Sequence, residues 1–208
     1  MAREEELPQA DAEVVDTEAA EEEKPAPLDP EVEARRVAAM SFIRKLGDPV
    51  LKSRAIPVDR FDDSLRRQAS RMAGIMNDAL GVGLAAPQLG ISQRLLVYRV
   101  GPDAPVTVLA NPELEWASGD VELGEEGCLS IPGVVVDVDR PVHVRVRGRD
   151  EEGEDRVVEA SGLEARVIQH EIDHLDGVLI LERTSREERK RALRELREAE
   201  QQRDDEAA

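Results

Sequence analysis

A chain of 208 residues with a net charge of −18 has room for one domain with its own core plus a tail, and its acidity argues against direct DNA binding. Its single cysteine excludes an internal disulfide and suits a reducing, cytoplasmic setting. No apolar run is long enough to span a membrane, and the opening residues lack the pattern of a signal or transit peptide.

Residues 1–36 hold thirteen Asp/Glu against Arg3, Lys24, Arg35 and Arg36, with no aromatic residue and no apolar period. Such a segment buries too little apolar surface to offset its ordering entropy, so residues 1–39 are expected to be a disordered acidic extension. An acidic interaction arm is the alternative. Deleting residues 1–36 is then expected to leave activity within about twofold of the full chain. The catalytic domain is expected over 40–183, with a C-terminal helix and tail over 184–208; Met40 also offers a second start codon.

Residues 41–61 read as an extended, Pro-punctuated lead-in. A helix follows from Asp62 or Asp63, either able to cap it, with Leu65, Ala69, Met72, Met76 and Leu80 as an inward stripe. The glycines of GVGLAAPQLG (81–90) break it. Residues 93–100, 106–114 and 142–150 read as strands, and DEEGED (150–155) as a hairpin turn into RVVEA. A second helix starts at Ser161, which makes a capping box with Glu164, and Gly177 suits its C′ position. A last helix starts near Ser185, paired with Glu188 in the same way. Its apolar content, Ala192, Leu193, Leu196 and Ala199, is too thin to anchor the whole helix. A solvated helix held by pairs such as Glu187 with Arg191 is expected. Short strands around a buried central helix indicate an α+β domain, with antiparallel or mixed sheets.

The strongest chemical signal is HEIDH at 170–174, an H-E-x-x-H within the second helix. His170 and His174 at i and i+4 share a face and can reach one metal, and Glu171 beside them can move a proton. Two core histidines without a metal are the plainer alternative. A third ligand is needed. Position 180 is Ile180, where a metzincin protease would carry histidine, and the later glutamates from Glu182 lie in an Arg-rich helix. Cys128, in EEGCLSIPG (125–133), is the remaining soft ligand. A lone cysteine is more often a buried small hydrophobe, yet Cys with two His makes a three-ligand site with one open position.

Three blocks together resemble the signature motifs of the peptide deformylases. GVGLAAPQ (81–88) matches G-φ-G-L-A-A-x-Q, residues 126–130 match E-G-C-L-S, and residues 170–174 match H-E-x-x-H. The resemblance spans roughly 41–200. It implies hydrolysis of the N-formyl group from formyl-methionine at the start of new polypeptides, in a bacterial cytoplasm. It implies Cys128, His170 and His174 as metal ligands, with Glu171 taking a proton from the attacking water and returning it to the leaving amine. Gln88 and the Leu129 N–H would hold the oxyanion, and the backbone of Gly83 would face the formyl group. The methionine pocket would be walled by Val82, Glu126, Leu163, Arg166 and Val167, with the Arg166 stem along the pocket and its charge turned outward. Val134 and Val135 stand where some members carry a polar or aromatic substrate contact, and Arg140 recurs in the family with a structural role. Fe²⁺ is the expected ion and Zn²⁺ the alternative. Some relatives dock a basic C-terminal helix on the ribosome near the exit tunnel, and residues 183–203, which carry eight Lys/Arg against five Asp/Glu, offer the same contact as the alternative to a merely solvated helix. Two other readings compete: a small zinc peptidase that would tolerate loss of Cys128, and a non-catalytic module, which should have lost Glu171, Gln88 or a ligand.

Overall fold

Local signals place four helices and seven strands along the residues that the computed structural model describes, 28–206. Helix α1 (Pro30–Met40) begins with Asp29 accepting a hydrogen bond from the Glu31 N–H at 2.8 Å and with proline at its first position. The expectation of an unstructured segment up to residue 39 therefore fails from Pro30 onward. The cap starts the helix, and burial of Ala39 with partial burial of Met40 in the cluster around Met72, Ile75 and Ala79 holds it. Residues 1–27 of that expected extension lie outside the described residues. Truncation before Ser41 should therefore cost about 2 kcal/mol through lost apolar burial, a melting point lower by roughly 4–8 °C. An unchanged melting curve would mean that α1 packs without stabilising the domain.

Helix α2 (Asp63–Asp78) is capped by Asp62, whose carboxylate accepts from the N–H groups of Ser64 and Leu65. Leu65, Ala69, Met72 and Met76 are buried as the periodicity predicts. Leu80 is not: it lies past the helix end with φ 59° and is half exposed. The chain has by then turned toward Gly81.

Strands β1 (Gly83–Ala85), β2 (Leu95–Tyr98), β3 (Thr107–Ala117), β6 (His143–Arg149) and β7 (Asp155–Ser161) form a five-stranded sheet in that order, with every neighbouring pair antiparallel. Strands β4 (Val121–Cys128) and β5 (Ile131–Pro141) form a separate antiparallel hairpin. Neither β4 nor β5 was expected from the sequence, and a short 3₁₀ turn, Pro49–Lys52, interrupts the lead-in. Along β5, Val134, Val136, Val138 and Arg140 alternate inward.

Helix α3 (Gly162–Leu175) packs against both sheets and carries the H-E-x-x-H residues into the interior. Ser161 is its N-cap residue, but the expected capping box does not form. The Ser161 hydroxyl meets His143 Nδ1 at 2.8 Å instead, and Glu164 accepts from the Tyr98 hydroxyl at 3.1 Å. At the other end Gly177 does occupy C′ with φ 75°; its N–H reaches the His174 carbonyl while the Val178 N–H reaches that of Asp173. A Cβ there would lie 2.8 Å from the Lys52 carbonyl carbon, so glycine is required twice over.

Helix α4 (Arg186–Glu206) is better anchored than its composition suggests: Ala192 is fully buried, and Leu193 and Leu196 pack on the cluster that holds Val134, Val136 and Val138. Ser185 caps it through the Glu188 N–H at 3.1 Å. Arg191 pairs with Glu188 and Glu195 rather than with Glu187. No helix among the described residues is long and apolar enough to cross a membrane.

Candidate metal centre and catalytic cleft

Helical spacing puts His170 and His174 one turn apart on α3, with ring centroids 5.0 Å apart. The end of β4 brings Cys128 against them, its Sγ 3.3 Å from His174 Nε2. One ligand atom from each of the three residues lies within 4.8 Å of the others, close enough for all three to turn toward one ion and leave it an open position. The donor set, one thiol and two imidazoles, fits a borderline-soft divalent metal. Burial opposes ionisation of the Cys128 thiol, yet the neighbouring imidazoles outweigh it and hold the thiol well below its ordinary range.

Behind the ligands stands a buried charge network. Glu126 accepts from His170 Nδ1 at 3.0 Å, from Arg140 Nε at 2.9 Å and Nη2 at 3.0 Å, and from Arg166 Nη1 at 3.0 Å. A donor bond from Nδ1 fixes the tautomer and leaves Nε2 free to ligate. Burial alone would raise the Glu126 carboxyl, but His170 and Arg140 pull it down to about 2. Arg140 also reaches Asp173, one residue before His174, and Arg183 bonds the same carboxylate. This is the structural role of Arg140. An arginine on the inward side of an apolar alternation must find buried carboxylates, and the alternation of 134–140, unread in the sequence, is the signal that could have found it. Sequence reasoning missed Asp173 altogether.

Glu171 projects from α3 into the cleft and is buried. Burial pushes its carboxyl above the ordinary carboxylate range, and its Oε2 has no hydrogen-bond partner among the described residues. A Cβ on Gly83 would overlap this carboxylate, lying 2.8 Å from Cδ, so the glycine makes room for Glu171 itself. Gln88 sits in the 3₁₀ turn Ala86–Leu89, and its Oε1 accepts from the Ala85 N–H at 2.8 Å. Its amide NH₂ is thereby aimed at Ser130 Oγ (3.3 Å) and Cys128 Sγ (3.8 Å). Leu129 and Ser130 form the tip of the β4–β5 hairpin, immediately after Cys128.

These groups open onto one cavity of about 560 Å³. Val82, Gly83, Gln88, Glu126, Cys128, Leu129, Leu163, Arg166, Val167, His170 and Glu171 all line it, while His174 lies deeper. Half-exposed Leu80, Val82, Leu163 and Val135 form an apolar rim. Two sequence expectations need revision here. The Arg166 head does not turn outward: it folds back onto the carbonyls of Glu122, Gly124 and Val138 as well as Glu126. The Glu126 carboxylate, though beside the cavity, is spent on His170 and the two arginines. Arg36 and Met40 of α1 also line the cavity, which no motif indicated.

The family model for polypeptide deformylase matches residues 40–190. A peptide deformylase from Parafrankia sp. (strain EAN1pec) is 48% identical over 158 residues, covering 76% of this chain and 86% of the relative. One from Thermotoga neapolitana is 51% identical over 144 residues, covering 69% and 87%. Among solved structures, the Synechococcus elongatus peptide deformylase in complex with actinonin superposes with a TM-score of 0.71 at 47% identity, covering 74% of this chain and 85% of that one. The Legionella pneumophila peptide deformylase gives 0.73 at 40% identity, covering 77% and 95%.

Proposed function

The chain belongs to the polypeptide deformylase family, and from that membership we infer that it hydrolyses the N-formyl group from the formyl-methionine that starts new polypeptides, releasing formate. The observation that carries this reading is the meeting of Cys128 from β4 with His170 and His174 from α3, beside an unpaired Glu171 carboxylate oxygen. Cys128, His170 and His174 would hold the ion, which when bound supplies Lewis-acid polarisation of the formyl carbonyl and of the attacking water.

This chain's own groups account for the rest. Glu171 Oε2 takes the proton as water oxygen bonds to the formyl carbon, and delivers it to the methionine nitrogen as the C–N bond breaks. The Gln88 amide NH₂ and the Leu129 N–H receive the negative charge that develops on the formyl oxygen. Support for Gln88 is its fixed amide: with Oε1 held by Ala85, only the donor side faces the cleft. The Gly83 backbone borders the formyl position, and Val82, Leu163 and Val167 with the Arg166 stem enclose the methionine side chain. Glu126, itself held by Arg140, holds His170 rather than the substrate. Ferrous iron is the ion, with zinc the alternative; thiolate and imidazole suit both. A bacterial cytoplasm is the setting.

The test is release of formate from formyl-Met-Ala-Ser by protein purified without oxygen, with metal analysis of the same sample. One bound iron and rapid formate release are expected. Cleavage of unformylated peptides with the formyl group left intact would favour a peptidase.

Helix α4 is the proposed ribosome contact. Its exposed side chains Arg186, Arg189, Lys190, Arg194 and Arg197 form a basic face in an otherwise acidic protein, and phosphate contacts there would be salt-dependent. Removing the whole helix would uncover its buried seat on β5, so charge reversal is the cleaner probe. Cosedimentation with ribosomes at low salt is expected for the wild type and lost in Arg189→Glu/Lys190→Glu/Arg194→Glu. Equal sedimentation of both leaves α4 a structural helix.

A further inference from the structure

The lead-in segment Arg44, Lys45 and Leu46 touches both proposed oxyanion donors. The Arg44 N–H donates to the Gln88 carbonyl at 2.7 Å, and the Leu46 N–H donates to the Ser130 carbonyl at 3.0 Å. Between them the Lys45 ammonium donates to the Leu129 carbonyl at 3.1 Å, in a part-buried contact across 84 residues of sequence. Leu129 and Ser130 are the whole turn of the β4–β5 hairpin, so both carbonyls of the turn are tied to one segment. The Leu129 side chain packs, partly buried, against the cluster that holds residues of α1 and α2. Of the three tethers, only that of Lys45 comes from a side chain.

The geometry points to Lys45 as a positioning residue for the deformylation reaction: it acts through Leu129 by fixing the turn whose N–H meets the oxyanion. This rests on the deformylase reading above. A cationic donor on a neutral carbonyl makes a stronger bond than a neutral donor would, and its removal leaves the part-buried carbonyl unpaired. Loss of the tether frees the turn to shift. Small displacements at a reacting centre weaken donors that act in the transition state far more than they weaken ground-state binding. The signature is therefore a loss in kcat with KM retained.

Lys45→Met and Lys45→Arg are to be compared with wild type on formyl-Met-Ala-Ser, each with measured metal content, and Lys52→Met serves as a control. Lys52 also spans two segments, pairing with exposed Glu182, but touches neither donor. Lys45→Met is expected to lose roughly tenfold in kcat, with KM within about twofold and full metal. Lys45→Arg should recover to within about threefold of wild type, and Lys52→Met should keep full kcat. Unchanged kcat in Lys45→Met overturns the proposal, as does a rise in KM alone, which would make Lys45 a substrate contact. A kcat loss that merely tracks lost metal overturns it too. If Lys45→Met does not fold, Lys45→Gln is judged by the same criteria. A wild type that leaves formyl peptides intact would refute the deformylase reading instead, whereas an active wild type with an equally active Lys45→Met refutes only the positioning role.

Discussion

Glu171→Ala is expected to lose at least about three orders of magnitude in turnover on formyl-methionyl peptides while still binding its metal. The proposed ligands are Cys128, His170 and His174, so metal binding is not expected to depend on this carboxylate. What the variant would lose is the proposed proton carrier. Among the described residues, the other buried carboxylate lining the cleft, Glu126, is engaged by His170, Arg140 and Arg166 and is held ionised by them, while Glu125 lies exposed on β4. Glu171, by contrast, is buried with one oxygen unpaired and a raised pKa, a costly arrangement that fits the proposed proton transfer better than a stabilising role. Glu171→Gln, which keeps the shape and removes the charge, should therefore melt no lower than wild type while being almost as inactive as the alanine variant. Turnover near the wild-type rate in either variant would remove Glu171 from the acid–base role. A lower melting point in Glu171→Gln would show that the carboxylate also stabilises the fold.

Cys128→Ala is expected to purify with less than roughly a tenth of the wild-type metal and to lose activity in proportion, because two imidazoles alone leave a divalent ion under-coordinated. The thiol is set up for this task. It sits against His174 and beside His170, and their pull on its proton outweighs the burial that would keep it neutral. Cys128→Asp offers an oxygen ligand at a similar reach and should keep part of the metal with a lower rate. Metal content per chain, measured beside the rate for each variant, separates loss of the ion from loss of chemistry. A fully active Cys128→Ala protein would transfer the site to the two-histidine peptidase reading.

Local rules made much of this protein legible from its residues. An i,i+4 pair on a helix must share a face, so His170 and His174 needed no tertiary information to be joined. Asp62, Ser185 and Gly177 read correctly as helix ends because caps are satisfied by backbone groups two to four residues away. The family motifs identified Cys128, though only folding brings it from the end of β4 to the histidines. The sequence expectation failed where a distant partner won a side chain. Ser161 and Glu164 had the capping-box spacing, yet His143 and Tyr98 took them. Glu126 was read as a pocket wall and Arg166 as an outward charge. Both turned inward, Glu126 to meet Arg140 on the buried side of β5 and Arg166 to meet Glu126 and the carbonyls of β4 and β5. Helix α1 and the Lys45 tether left no periodic trace at all. Their hold depends on α2 and on the hairpin turn, which meet them only across the folded domain. Sequence spacing decides contacts within a turn or two of backbone. Contacts between elements are chosen by which buried polar groups and apolar faces must be satisfied together, and that is settled only once the chain has packed.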